Sequence, residues 1–374
     1  MQVPVKLLNA ARLDVAPPML SVIASSTFVF IATPFLIPAI AADLDLATGS
    51  VGWISTAQLS GFMLASLLAG RFLTPSRIVF VAIAVIGFAA NASSTAAHDL
   101  ALLSVTRFCS GISLGLAAWF GWQAAFGDRG RTGDVAVVGP IVGVLGTPLI
   151  SWLAGEHGPD WVFGALAIAN LIPLVFVKRV PPATELSPRS KRRPATGPAK
   201  VILLALTLVT FGGSSVFVFA AAIGTESVGV STLVVSATFT ANAIVGIPAA
   251  KWPFRKGKAG LWFFGTGVLA LLIASTSSPW IYVPALASWG FIFFMGTPSA
   301  FTLLAERSRY PEERAGDAQA MMALGRVFGP LMGGALYTGG TSLALGLAAF
   351  ASLGTAACLL IAVDRPKYVV NPAT

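Results

Sequence analysis

The chain has 374 residues, of which 56% are hydrophobic and 10% are charged, and its mean hydropathy is +0.82. A soluble domain carries about 25% charged residues because its surface faces water, so this composition excludes a soluble globular protein. The net charge of +9 is interpreted as attraction to anionic lipid head groups, and no nucleic-acid partner is expected.

Apolar runs of about 20 residues, the length that crosses a bilayer as a helix, recur along the whole chain. They are continuous rather than alternating, which favours helices over the strands of a transmembrane barrel. The spans predicted in the first half are Pro17–Ala42, Val51–Leu73, Arg77–Ala97, Leu100–Phe126, Val135–Ala154 and Trp161–Val177. Those predicted in the second half are Val201–Thr225, Ser231–Ala250, Ala259–Ser277, Trp280–Ala305, Ala318–Thr338 and Ser342–Val363.

These twelve spans predict an all-α integral membrane protein in three parts. Residues 1–177 are predicted to form one six-helix bundle, and residues 201–374 a second one with a short cytoplasmic tail. The basic segment 178–200 between them is interpreted as a cytoplasmic linker. The leader Met1–Ala16 lacks the apolar core of a cleavable signal peptide, so the first span is expected to direct its own insertion.

Lysine and arginine residues stay on the cytoplasmic side of membrane proteins. Of the 24 in this chain, all but Arg107 and Arg326 fall in segments on one side of the predicted spans. We therefore expect a multi-pass protein of the cell membrane with both termini in the cytoplasm.

Two short sequences occur twice, half a chain apart. "SSTFVFIA" from Ser25 is echoed by "SSVFVFAA" from Ser214, and "GPIVG" from Gly139 by "GPLMGG" from Gly329. The offsets, 214 − 25 = 189 and 329 − 139 = 190, are nearly equal, which indicates duplicated halves. Both halves begin on the same side, so the repeats are parallel, and such repeats are typical of transporters with a solute site between them.

The motifs of the chain resemble those of the major facilitator superfamily over nearly its whole length. "PFLIPAIAADLDLATGSVGWISTAQLSGFMLASLLAGR" is similar to the first two helices of its drug-efflux-like branches, and "GPIVG" to the motif of its antiporters. "RFCSG" matches the Arg-x-x-x-Gly motif of span 4, and "PEERAGDAQA" also resembles the family. The chain departs from the family in "GRFLTPSRIVF", where Thr74 and Pro75 stand near an expected Asp, and at Val144, which replaces a glycine.

The resemblance implies two pseudo-symmetric six-helix bundles that expose a central cavity to each side in turn. It also assigns a conformational role to small residues at helix contacts, where they permit close packing and bending. Ordinary helix packing is the alternative interpretation. The residues are Gly111, Gly139, Pro140, Gly143, Gly329, Pro330, Gly333 and Gly334.

Arg107 and Arg326 are the charged residues predicted deep inside spans. A guanidinium in a membrane helix costs at least about 2.5 kcal/mol, so it needs a partner. No Asp or Glu lies deep in any predicted span, which favours a cavity that accepts an anion. For Arg107, which matches the family motif, a fixed role bonded to backbone carbonyls and to span 1 is the alternative.

Further cavity candidates follow from the resemblance, which implies that spans 1, 4, 7 and 10 surround the solute. Gln58 and Asn242 are added as polar groups of spans 2 and 8 that need partners. For each of these residues, packing within the protein is the alternative interpretation. The remaining candidates are Ser25, Ser26, Phe30, Trp119, Trp122, Ser214, Ser215, Phe219 and Trp289.

The sequence thus predicts a secondary transporter of a small organic or amphipathic solute, with an anionic group favoured and export or exchange as its direction. Proton-coupled multidrug export, lipid or lysolipid transport and a non-transporting sensor remain alternatives. No enzymatic activity, cofactor or metal is expected, because both histidines lie in predicted loops and no phosphate-binding loop is present. The expected partners are the solute, membrane lipids and a coupling ion that could be a proton, and a monomer is expected.

Overall fold

The computed structural model describes residues 14–123, 125, 129–180, 193–252, 258–311, 314–337, 343–365 and 368. Most of the predicted linker (181–192), the leader up to residue 13, and the predicted span ends Phe126, Thr338 and Ser342 lie outside the described residues.

Twelve long helices in the described part of the chain coincide one by one with the predicted spans. The first six are α1 Pro17–Asp43, α2 Thr48–Phe72, α3 Arg77–Ser94, α4 Leu100–Gln123, α5 Arg129–Trp152 and α6 Pro159–Leu171. The last six are α7 Gly197–Phe217, α8 Thr232–Ala250, α9 Ala259–Ser275, α10 Pro279–Glu306, α11 Arg314–Leu336 and α12 Leu343–Val363. Several begin earlier than predicted, because a helix can continue beyond the apolar core of the bilayer into the head-group region.

Short helical turns extend three of these helices. The π-helical turn Leu153–His157 follows α5, the 3₁₀ helix Ile172–Arg179 follows α6, and a second π-helical turn, Ile223–Ser227, lies beyond α7. Gly158 separates the first of these turns from α6 with a φ of 85°, a conformation that favours glycine.

Ten of the helical segments are long and apolar enough to cross a membrane. The helix α9 is apolar but has 17 residues. The helix α11 has 23 residues and carries Arg314, Asp317 and Arg326, which lower its apolar character. The predicted fold class, an all-α membrane protein of twelve helices, is confirmed.

The helix starts follow from local sequence. Proline occupies the first turn of α1, α6 and α10, where its missing N–H would be unpaired in any case. The side chains of Ser76, Thr196 and Ser231 accept hydrogen bonds from the first turns of α3, α7 and α8 at 3.3–3.4 Å.

The helices define two faces of the molecule. We call the side at which α6 ends and α7 begins the linker face, and the opposite side, where α1 ends and α2 begins, the distal face. Four exposed tryptophans stand near helix ends at the distal face, which is the position of an interfacial aromatic belt. They are Trp53, Trp152, Trp161 and Trp280.

The packing of the first six helices recurs in the last six. The pairs α1–α5, α2–α4, α3–α4 and α3–α6 correspond to α7–α11, α8–α10, α9–α10 and α9–α12. Between the bundles, α2 packs on α11 and α8 on α5, which are also equivalent pairs. Adding six to each helix number therefore reproduces the contacts, as expected of parallel repeats.

Candidate functional site

A cavity of about 380 Å³ lies between the two bundles. Its lining residues come from α1, α2, α4, α5, α7, α8, α10 and α11, so four helices line it in addition to the expected 1, 4, 7 and 10. The other four helices, α3, α6, α9 and α12, contribute no described residue to it.

The cavity brings together eight of the thirteen predicted solute contacts. These are Ser26, Phe30, Gln58, Trp122, Ser214, Asn242, Trp289 and Arg326. The other five, Ser25, Arg107, Trp119, Ser215 and Phe219, are not among the lining residues.

Arg326 is the charged side chain among the described residues that line the cavity. Its guanidinium carbon lies 5.9 Å from the centroid of the Phe62 ring, across the contact between α2 and α11. In the part of the chain that the structure describes, it has no ion pair and no hydrogen bond with a protein acceptor. A cation without a protein partner in this position favours a negatively charged group in the cavity.

Thr27 and Gln319 line the cavity without a side-chain hydrogen bond among the described residues, and three further unpaired groups are fully buried. These three are Ser55 Oγ and Gln58 Nε2 on α2 and Ser214 Oγ on α7. Together with Arg326 we call them the donor cluster. Since unpaired buried donors cost about 1–3 kcal/mol each, a solute with acceptor oxygens would find hydrogen bonds here at low cost.

Sequence reasoning missed Ser55. Ser55, Gln58 and Phe62 are spaced i, i+3 and i+7, so they share one face of α2, and this periodicity would have identified Ser55 once Gln58 was chosen.

Two of the predicted polar contacts are already bonded within the protein. Ser26 Oγ donates to the Ile23 carbonyl at 3.0 Å, and Asn242 Nδ2 donates to the Leu286 carbonyl at 2.7 Å. Asn242 therefore ties α8 to α10. Neither the Ser26 hydroxyl nor the Asn242 Nδ2 group is therefore an unpaired donor.

Aromatic rings form much of the remaining wall. Phe30 packs edge-on against Phe62 at 5.7 Å, and Trp122 of α4 packs edge-on against Phe301 of α10 at 5.8 Å. The second pair joins the two bundles, and Phe301 was not among the predicted contacts.

Arg107 is enclosed inside the first bundle, away from the cavity. Its guanidinium donates to Asn91 Oδ1 at 3.0 Å and to Ser94 Oγ at 2.6 Å, and its carbon lies 4.6 Å from the centroid of the Phe163 ring. The side chain is 1% exposed. The expected structural partners on span 1 are replaced by residues of α3 and α6.

The other four residues outside the cavity are also engaged within the protein. The hydroxyls of Ser25 and Ser215 donate to carbonyls one turn earlier in their own helices, at 3.1 and 2.8 Å. Trp119 belongs to an apolar cluster of the first bundle, together with Phe80. Phe219 is fully buried at the distal face and stacks on Tyr337 at 5.4 Å.

The motif glycines lie at close contacts of different kinds. A Cβ on Gly334 would overlap the Gly49 carbonyl oxygen, and a Cβ on Gly143 would come within 2.8 Å of Ala243, so these two lie at contacts between the bundles. Gly111, Gly329 and Gly333 instead meet backbone of their own bundle. Gly139 is less crowded, because a Cβ there would stand 3.7 Å from its nearest neighbours.

The bundles are also joined by polar contacts at both faces. At the distal face, Glu226 accepts hydrogen bonds from Thr48 of the first bundle at 2.8 Å and from Tyr337 at 2.9 Å. At the linker face, Asp134 forms an ion pair with Lys251 at 2.7 Å, from α5 to the end of α8.

Comparison with known proteins identifies the family. Two solved structures superpose on almost the whole chain. The human organic anion transporter MFSD10 (TETRAN) has a TM-score of 0.64 and 14% identity, and the match covers 93% of this chain and 97% of that one. The nucleoside transporter NupG has a TM-score of 0.67 and 12% identity, and the match covers 93% of this chain and 99% of that one. No curated protein matches the sequence.

The sequence model of the Major Facilitator Superfamily matches residues 19–324, which is more than half of the chain. This family and the two structural relatives are transporters rather than enzymes. Membership of such a family implies a small-molecule solute and membrane lipids as partners. The chain therefore belongs to the Major Facilitator Superfamily of secondary transporters.

Proposed function

We propose that the protein moves a small organic solute with an anionic group across the membrane by alternating access, as an exporter or exchanger. The observation that carries this proposal is Arg326, a guanidinium that faces the cavity without a protein partner among the described residues. A carboxylate that accepts two parallel hydrogen bonds from the guanidinium would supply the missing partner.

In this proposal, residues 1–177 and 201–374 rock against each other while the linker 178–200 connects them. The contacts α2–α11 and α5–α8 form the surfaces that slide and separate. Glycine pairs such as Gly49 and Gly334 support this, because they let two backbones approach closely and present no side chain that must move aside.

The direction of transport is taken from the resemblance of the first two helices and of "GPIVG" to drug-efflux and antiporter branches. One structural relative is named as an organic anion transporter. At 14% identity this likeness concerns the fold, so the preference for an anion rests on Arg326 itself.

Multidrug export of cations is disfavoured, because cation carriers coupled to protons need a carboxylate that exchanges the proton for the cation. The described residues that line the cavity include no Asp or Glu. The aromatic walls suit acyl chains as well as rings, so lysolipids belong in the test.

The test combines binding and flux. A panel of organic monocarboxylates, organic cations of similar size and lysolipids is screened by melting shift, and each compound that binds is followed in liposomes containing the purified protein. We expect anions to bind and cross, and Arg326→Ala to weaken anion binding about thirtyfold or more. The matched control is Arg309→Ala, which removes an exposed arginine at the linker face.

The other outcomes separate the alternatives. A preference for cations indicates multidrug export, and movement of lysolipids indicates a lipid transporter. Binding without flux indicates a sensor. Anion transport by a well-folded Arg326→Ala protein at the parental rate would contradict the anion site.

We also propose that the linker face is cytoplasmic in the cell membrane, because the lysine and arginine residues gather there. Single cysteines introduced at the exposed positions Asp99 and Glu156 of the distal face should react with an impermeant reagent in intact cells. Cysteines introduced at positions 188–200 should react only after permeabilisation, and labelling of these positions from outside would reverse the orientation.

A further inference from the structure

The donor cluster and the Trp122–Phe301 pair occupy different depths of the cavity. Ser55, Gln58 and Phe62 follow one another along α2 from the distal towards the linker face, and Arg326 lies 5.9 Å from the Phe62 ring. Gly329 lies one turn beyond Arg326 on α11, towards the distal face. Ser214 Oγ of α7 packs against Gly329, so closely that a Cβ on Gly329 would overlap it, and Ser214 therefore lies at the depth of Gly329. Phe62 therefore marks the end of the donor cluster nearest the linker face.

The Trp122–Phe301 pair lies farther towards the linker face. The residue of α4 at the depth of Phe62 is Gly115, because a Cβ on Gly115 would overlap the Phe62 carbonyl oxygen. Trp122 comes seven residues later, which is about 10 Å along the helix at 1.5 Å per residue. The donor cluster and the Trp122–Phe301 pair therefore lie about 10 Å apart along the cavity.

The charge of the cavity lies at the depth of the donor cluster. Among the described residues that line the cavity, Arg326 alone carries a charge. One negative group on the solute is balanced by Arg326, whereas a second negative group would remain uncompensated among apolar side chains, which is costly. A monoanion fits this distribution better than a dianion or a zwitterion.

We infer that the cavity binds an aromatic monocarboxylate in one orientation, with the carboxylate at the donor cluster and the ring about 10 Å closer to the linker face, against Trp122 and Phe301. This inference rests on the proposed function. The guanidinium fork and the unpaired Gln58 and Ser214 groups donate to the carboxylate oxygens. The solute ring gains edge-to-face contacts that an alkyl chain of equal length does not gain.

Calorimetric titration of the purified protein with phenyl-terminated carboxylic acids of increasing chain length tests the orientation, and the corresponding alcohols serve as uncharged probes. Acid affinity is expected to rise with chain length until the ring reaches Trp122 and Phe301, and then to level off. Arg326→Ala should reduce the affinity of each acid to that of its alcohol. Phe301→Ala should weaken the longest acid about tenfold and leave phenylacetate unchanged.

The matched control is Phe291→Ala. Phe291 lies on the same helix as Phe301 but packs against Trp262 of α9, outside the cavity lining, so its removal should weaken neither short nor long acids. If Phe301→Ala does not fold, Trp122→Leu tests the same end of the cavity from α4 and should also weaken the long acids selectively.

The outcomes distinguish this inference from the proposed function. If binding depends on Arg326 but not on chain length, or if Phe301→Ala weakens short and long acids equally, the orientation is wrong and the anion site stands. If alkyl acids bind as tightly as phenyl acids of equal length, the aromatic class is wrong. If no acid binds, or if binding does not depend on Arg326, the proposed function fails and the inference fails with it.

Discussion

The two halves of the molecule repeat each other in helix packing but differ in where they place buried charge. The main helix contacts of the first bundle recur six helices later in the second. Arg107 of the first half is nevertheless enclosed among Asn91, Ser94 and Phe163, whereas Arg326 of the second half faces the cavity. The repeated scaffold therefore fixes where the helices lie, and the individual side chains decide which groups line the cavity.

The two arginines differ in their hydrogen-bond partners within the protein. The Arg107 guanidinium donates from both of its terminal nitrogens inside the bundle and so stabilises the fold, because its removal would leave its acceptors without their charged donor. A guanidinium without protein acceptors contributes little to the fold and is available to a ligand. Four matched pairs of substitutions test this comparison and related ones.

The largest effect is expected from alanine at the two arginines. Arg107→Ala should lower the free energy of unfolding by roughly 3 kcal/mol, because it leaves Asn91 Oδ1 and Ser94 Oγ without their charged donor. Arg326→Ala should leave the stability of the ligand-free protein almost unchanged, because no protein acceptor among the described residues loses its donor. The melting temperature without ligand measures both, and equal losses would contradict the distinction.

The repeated glycines provide the second comparison. A Cβ on Gly329 would stand 2.6 Å from the Phe211 carbonyl oxygen of α7 and would overlap Ser214 Oγ. Gly329→Ala should therefore destabilise the protein by about 1–3 kcal/mol. Gly139→Ala, at the equivalent position of the first half, should stabilise it by up to about 1 kcal/mol, because alanine favours a helix and meets no close neighbour. Similar melting shifts in the two variants would mean that the halves are packed alike.

A smaller effect is expected from lysine at Arg326. Arg326→Lys keeps the positive charge but loses the planar pair of donors, so binding of a monocarboxylate should weaken about tenfold while the ligand-free melting temperature is unchanged. Arg309→Lys at the exposed linker face is the control. Undiminished binding by the lysine variant would show that charge alone, without the fork geometry, selects the solute.

The smallest effect is expected from alanine at two adjacent serines. Ser214 Oγ has no partner among the described residues, whereas Ser215 Oγ donates to the Gly212 carbonyl inside α7. Ser214→Ala should weaken anion binding about threefold, and Ser215→Ala should leave it unchanged. Titration of both variants with one monocarboxylate measures the difference, and an equal response would remove Ser214 from the donor cluster.

These serine pairs also show how far the sequence could identify the site. The echo "SSTFVF" and "SSVFVF" lies on two helices that line the cavity, but it could not tell Ser26 from Ser25 or Ser214 from Ser215. Successive residues of a helix point about 100° apart, so one serine of each pair lines the cavity and its neighbour does not. Trp119 and Trp122 were chosen on equal terms, and Trp122 alone reaches the cavity.

By itself, the sequence determined the number of helices, their approximate ends, the duplication of the halves and the presence of two arginines within the spans. These properties depend on the length and composition of local segments, which hydropathy reports directly. The tertiary structure decided the rotation of each helix, and with it which arginine faces the cavity. Lipid and protein interior are both apolar, so the faces of a membrane helix differ little in hydropathy, and only the partners on neighbouring helices reveal which side chains are engaged. Asn91, Ser94 and Phe163, which enclose Arg107, lie on other helices than α4, and the distance of each from Arg107 is a property of the fold.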